Sequence, residues 1–421
     1  MNFAPQLKTL GLVILACSIV AIGYFGLLNF GLNWLTRNYL SQPYGFIDPK
    51  GTVRINVNTS PGSNYPYEVA GKYCCGQCLI KDVSSGRFNF IDKNGKLLCE
   101  QPLYSNATAF SEGLAGVSLA QNSPEYAAVY GMPYEPLKPV RWHFIDMLGH
   151  KAFDADLAAV EKFSQGLCAV RKPGSGFWNY IDKKGDVAFN GNFDTADEFS
   201  EGRASVCKRS RWGVIDQSGN WIVSPHFSQR ISRYSEGLAT VEMAETHERV
   251  YLNKDGKVVL RFPGPDQNKP LQHAQVVDGN FVIKSASERC FAIPASNFLP
   301  AEGLITYKKG DLCGYSDLNG KEIIKPQFDY CWPFSQGLAL VFNDKKGKFG
   351  YIDHAGKLVI DYKFDRANNF SDGFGLVSEV DEFGYTFIDS TGADVFHKKF
   401  FEAAPFQDSL AYVGKKRYNL P

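Results

Sequence analysis

Short runs in which apolar and polar residues alternate cover most of the chain, and each run is broken by a polar turn. Trp212–Asp216 (W-G-V-I-D) leads through Gln217-Ser218-Gly219 into Trp221-Ile222-Val223; Phe349–Gly356 (F-G-Y-I-D-H-A-G) leads into Leu358-Val359-Ile360. Alternation with period two predicts half-buried strands, and Asp-x-x-Gly between two such runs predicts a hairpin. The Asp side chain accepts from nearby backbone amides, and the Gly supplies the positive φ that ends a type I turn with a bulge. The spacing recurs at Asp48, Asp92, Asp146, Asp182, Asp216, Asn253, Asp317, Asp353 and Asp389, each followed three residues on by glycine. Nine copies at equivalent places make these acids structural in the first instance.

About twenty residues after each Asp stands a second signature: aromatic, Ser, acid or amide, Gly, Leu, Ala. It reads Phe110–Ala115, Phe163–Cys168, Phe199–Ala204, Tyr234–Ala239, Phe334–Ala339 and Phe370–Gly375. From its Gly to the residue opening the next strand pair is 10 residues (Gly202 to Trp212) or 12 (Gly166 to Trp178). The difference of two keeps the same side chains on the core face. A unit is thus about three short strands in roughly 34–37 residues, the range of repeat arrays.

These landmarks together resemble the WG-repeat family, tandem units marked by Trp-Gly, Ile-Asp and Phe-Ser-Glu-Gly-Leu-Ala. The resemblance spans about residues 44–413, although literal Trp-Gly survives only at Trp212-Gly213; elsewhere stand Trp142-His143, Trp178-Asn179, Phe349-Gly350, Tyr44-Gly45 and Cys313-Gly314. It implies an all-β fold and says little about activity. We expect a tandem array of three-stranded repeats, a propeller-like ring in preference to an open β-solenoid, since closure removes sheet edges. The first copy (Asp48 to Gly76, 28 residues) and the last (Phe406–Ser409, without its Gly) look worn, as the end caps of a solenoid do.

Leu10–Leu35 is almost continuously apolar, and 26 residues suffice for a transmembrane helix. A cleaved signal peptide would have a shorter apolar core and a small-x-small end; Ile14-Leu15-Ala16-Cys17 resembles a lipoprotein box, but the apolar run continues far beyond Cys17. The expected organisation is a head at 1–9, the span at 10–35, a linker at 36–43, the array at 44–413 and a tail at 414–421. Positive charges flank the span almost evenly (Lys8 before; Arg37 and Lys50 after), so sidedness rests on the short head and large following domain, which favour a periplasmic or other extracytoplasmic array.

The net charge of +1 argues against a dedicated nucleic-acid binder. Most aromatic residues fall at repeat positions and read as core. Cys74-Cys75-Gly76-Gln77-Cys78 resembles a metal or disulfide motif, but ungapped alignment with Gly166–Asp182 puts Cys78 and Cys168 where other copies carry alanine. Core packing accounts for both, and for Cys313 at a Trp/Phe position; Cys74 and Cys75 replace Ser-acid and, in an extracytoplasmic domain, are candidates for pairing with Cys99 or with each other. The scattered histidines lack metal spacing, and His143 and His354 read as solvated hairpin residues. There is no nucleophile elbow and no phosphate-cradling loop. No cofactor, metal or catalytic residue is assigned.

Function in repeat proteins concentrates where copies differ. An insertion at 121–140 carries Tyr126, Tyr130 and Tyr134 among prolines, and a second insertion fills 257–300 as a decayed unit or a flap. Arg171 and Lys172 fall in one connecting loop, and Lys208, Arg209 and Arg211 in the next, so five cations fall on neighbouring units. The expected function is a non-catalytic scaffold displayed at a membrane for a protein or peptide partner. Glycan or cell-wall binding is the alternative, and a carboxylate-based hydrolase a further one.

Overall fold

The computed structural model describes residues 45–56, 67–82, 85–99, 103–119, 141–263, 274–277, 280–284, 290–293, 298–379 and 384–414. The apolar span at 10–35 and the tyrosines of 121–140 lie outside them. Among the described residues no helix is long and apolar enough to cross a membrane.

Each unit is an antiparallel blade. In one, Leu167–Arg171, Trp178–Asp182 and Val187–Phe193 pair in sequence, and a two-residue strand, Ala159–Val160, adds in front. The next repeats the plan with Thr195–Ala196, Arg203–Lys208, Arg211–Asp216 and Trp221–Phe227. The two middle strands are largely buried, whereas the outgoing strand alternates and leaves Val187, Trp221, Ile323 and Val359 exposed. The outgoing strand is therefore the outer edge, where Pro225 and Pro326 are tolerated.

The array closes. Gly45–Ile47, near its start, pairs antiparallel with Ala411–Gly414, near its end, and the sheet runs Val53–Asn56, Gly45–Ile47, Ala411–Gly414, Glu402–Ala403. The first and last copies look worn because each is part of one shared blade, not because they cap a solenoid. Ile47, Phe387, Phe400, Phe406 and Val413 form the core layer at this closure. Elsewhere too the core is a series of layers between blades: Ala169 and Tyr180 of one pack with Phe199, Ala204, Val206 and Ile215 of the next. The fold is an all-β propeller ring, as expected. A short fourth strand completes some blades, while those at Leu238–Phe262, Leu304–Phe328 and Arg366–Ile388 show the three strands expected.

The hairpins behave as their sequence requires. In all nine, the Asp or Asn Oδ1 accepts from the backbone N–H two and four residues on, at 2.8–3.1 Å. Their glycines have φ between 73° and 88°. They also press on the preceding blade: a Cβ on Gly219 would lie 2.5 Å from Phe189, and one on Gly51 would lie 2.9 Å from Phe396, across the closure.

The Gly of Trp-Gly has a different reason. A Cβ on Gly213 would meet the Val223 carbonyl oxygen at 2.4 Å, because the outgoing strand bulges onto it. Where this Gly is replaced by Asn179, the side chain meets the outgoing strand instead: its Oδ1 accepts from Gly191 and Asn192 N–H at 3.1 and 3.2 Å.

The insertion at 257–300 contains an extra three-stranded sheet, Ala274–Val277, Asn280–Lys284 and Cys290–Ile293. Contacts from Ser235 to Pro300 and from Glu236 to Gly303 join the flanking blades directly, so this sheet is an insertion and not a blade of the ring.

Candidate functional site

The ring has two unlike ends. One carries the Asp-x-x-Gly hairpins and the turns of the second signature; the other carries the connecting loops that differ between copies.

At the first end, each signature turn has both central residues at positive φ, as in Glu201 at 52° and Gly202 at 80°. Ser200 and Arg203 exchange both backbone hydrogen bonds across it, so the turn is of type I′. Its side chains link blades. Ser111, Ser164, Ser200, Ser335 and Ser371 Oγ donate to the carbonyls of Phe163, Phe199, Tyr234, Phe370 and Phe406, at 2.5–2.7 Å. The acid or amide accepts from the glycine N–H of the next turn: Glu112 from Gly166, Gln165 from Gly202, Glu201 from Gly237, Glu236 from Gly303, Glu302 from Gly337 and Gln336 from Gly373. Cations of the next hairpin add ion pairs, Lys183–Glu112 at 3.0 Å and Lys254–Glu201 at 3.1 Å; across the closure Lys93 meets Asp408 at 2.8 Å.

Burial alone would raise Glu112 and Glu201; the lysines and the donated amides outweigh it and hold both carboxyls below their ordinary value. His354 is exposed at its hairpin, as expected, and also touches this belt: its ring stacks on Phe334 at 4.2 Å and its Nε2 lies 3.2 Å from Glu302. A deeper set of links comes from buried tyrosines, whose hydroxyls donate to carbonyls further along: Tyr180 to Asp197, Tyr315 to Trp332 and Tyr351 to Asn368. This end is committed to holding the ring together.

The loop end is less saturated. Of the five cations expected there, Arg171 lies over the Trp178 ring at 5.6 Å, and Lys208 lies over Phe193 and donates to the Gly191 carbonyl at 3.1 Å. Packing thus holds those two. Lys172, Arg209 and Arg211 are exposed and make no ion pair among the described residues. Arg209 and Ser210 both have positive φ, and the Ser210 N–H is held by Asp194 at 3.1 Å, so the turn presenting Arg209 has a fixed backbone. On the following blade Glu242 is met by His247 at 3.1 Å and Arg249 at 3.7 Å, and Glu248 by Arg261 at 3.3 Å. Glu242 and Glu248 are thus answered within their own blade, while Glu245 is exposed.

The cysteines divide. Cys78 and Cys168 are fully buried and donate to the carbonyls of Gly71 and Glu161, at 3.3 and 3.2 Å, in matching geometry. Cys313 is buried too, but packing is not its whole role: it forms a disulfide with Cys331, from Leu312–Asp317 to Tyr330–Ser335, two strands of neighbouring blades. The partner was not foreseen, because Cys331 lies outside every repeat landmark. Cys99 is free and lies beside the Tyr104 hydroxyl at 3.6 Å, not paired with Cys74 or Cys75. Among the described residues no three His, Cys, Asp or Glu side chains are grouped to hold a metal ion.

The model of the WG containing repeat matches residues 90–120, 178–212, 212–245, 314–346 and 349–379. No curated protein sequence matches the chain. Solved structures similar to it include Kluyveromyces lactis Hsv2 (10% identity, 70% of this chain and 91% of that one, TM-score 0.34). Others are apo AztD from Citrobacter koseri (12%, 81% and 96%, 0.30) and an inactive virginiamycin B lyase from Staphylococcus aureus with quinupristin (10%, 61% and 90%, 0.29). At these scores the likenesses carry no argument; ring closure rests on the chain's own strand pairing.

Proposed function

We propose that this ring, a WG-repeat β-propeller domain, is a non-catalytic binding scaffold whose variable-loop end receives an acidic protein or peptide segment. The observation that carries the reading is the contrast between the ends: side chains of the hairpin end are spent on neighbouring blades, while Lys172, Arg209 and Arg211 stand exposed on two adjacent blades and form no ion pair among the described residues. Repeated carboxylates offer no hydrolytic pair in this reading, since each hairpin Asp already accepts two backbone amides. The scaffold is displayed at a membrane by the 10–35 segment, on the extracytoplasmic side; the Cys313–Cys331 disulfide supports that side, because such bonds persist in oxidising compartments.

The test places a photo-crosslinking residue at Ser210 in cells and compares capture by the parent chain with capture by Lys172→Glu/Arg209→Glu/Arg211→Glu. One defined partner, lost at least tenfold on charge reversal and weakened by salt, is expected. Equal capture by both chains removes the cationic sector as the docking face.

A further inference from the structure

One turn at the hairpin end departs from the belt. Where most other signature turns carry Ser and an acid or amide, the first of them carries Cys74 and Cys75. Cys74 pairs with Gln77 across it, and Cys75 and Gly76 have φ of 56° and 82°, so the type I′ backbone is retained. The inter-blade links are not. No hydroxyl stands at position 74 to reach the next blade, and no carboxylate or amide at position 75 to accept from Gly113. Packing of Leu79 and Phe90 with Tyr104 and Phe110 holds this seam instead. The two sulfurs point at each other, Sγ to Sγ 3.4 Å; Cys75 is exposed and Cys74 half-buried.

We propose that Cys74 and Cys75 are a thiol–disulfide exchange site that takes a small-molecule disulfide as oxidant and closes into a vicinal disulfide. The exposed Cys75 thiolate attacks one sulfur of the oxidant, giving a mixed disulfide and expelling one thiolate. Cys74 then attacks the Cys75 sulfur, forming the intramolecular bond and expelling the second. The protein loses two electrons and two protons, and the oxidant leaves as two thiols. Consecutive Cα atoms are about 3.8 Å apart, closer than the ~4.4 Å at which ordinary disulfides begin. A ring closed through one peptide unit is thus strained and of the readily reduced, cycling kind. Cys313–Cys331, with Cα atoms 6.2 Å apart and buried between blades, is the structural contrast. Burial and the neighbouring Cys75 push the Cys74 thiol up to about 11, while Lys162 opposes them, so the exposed member starts the exchange and the covered one resolves it.

The full chain is incubated with oxidised glutathione, free thiols are alkylated, and the peptide spanning 74–75, which also carries Cys78, is weighed and fragmented so that the masses at positions 74 and 75 are read separately from Cys78. Loss of two hydrogens with no alkyl group and no glutathione at these two positions is expected, reversed by a mild dithiothreitol pulse that leaves Cys313–Cys331 intact. Cys74→Ser is expected to trap glutathione on Cys75, and Cys75→Ser to react much more slowly. Alkyl groups at both positions of the parent peptide, or a persistent glutathione adduct there, overturns the proposal without needing either variant. The proposal is independent of the docking reading.

Discussion

Gly219 and Gly202 both adopt positive φ, 83° and 80°, yet a Cβ on Gly219 would lie 2.5 Å from the Phe189 ring while one on Gly202 would meet nothing within 4 Å. Gly202→Ala is expected to cost only the left-handed backbone term, about 1–2 kcal/mol. Gly219→Ala adds roughly 1–3 kcal/mol of overpacking against the preceding blade. Urea unfolding of the two variants separates the terms; equal losses would mean that the hairpins do not press on their neighbours. Sequence made the chirality of Gly219 legible, because Asp-x-x-Gly names its turn. It could not show the contact, since Phe189 belongs to another unit. The same limit hid Cys331 as a partner and the hydrogen bonds that Asn179 makes to the outgoing strand: both depend on where a bulge or a neighbouring blade falls.

At the scale of the element, the sequence shows the second signature as a recurring pattern spaced from the next strand pair and gives its Ser and acid no purpose. The structure gives them one, and nothing local signalled it, because partners stand 34–67 residues away in the chain. Glu201 shows the consequence. Its folded pKa is depressed and its unfolded pKa is ordinary, near 4.3, so between them the unfolded chain binds the extra proton. Its contribution is fully present above the ordinary pKa and disappears as pH falls through the folded one. Glu201→Gln keeps an acceptor, as Gln165 and Gln336 do naturally, and removes the charge. Melting temperature followed from about pH 6 to pH 3 is expected to fall less steeply in this variant than in the parent; parallel curves would count against the ion pair with Lys254. Tyr180→Phe removes a hydroxyl held 2.6 Å from the Asp197 carbonyl and is expected to cost about 1–3 kcal/mol by denaturant titration. No measurable loss would show that water replaces the bond freely.

For the whole molecule, the repeats announced β-structure and a count of units, but closure was a choice between two arrays with the same local pattern. The worn end copies favoured the wrong alternative for a physical reason: a blade divided between the two ends of an array looks incomplete at each end when read separately. The candidate docking sector was legible as a run of cations. Which of them are free was not, since that depends on the rings under Arg171 and Lys208. The central claim is the shared blade, and it is tested by Phe46→Cys with Tyr412→Cys, residues directly opposite in that sheet. After mild oxidation, the chain is cut in the connecting loop around Pro173. The ring predicts that the two fragments stay joined on a non-reducing gel and separate on reduction, while the cut parent chain falls into two bands. Fragments that separate without reductant, with both introduced thiols still open to alkylation, would contradict it.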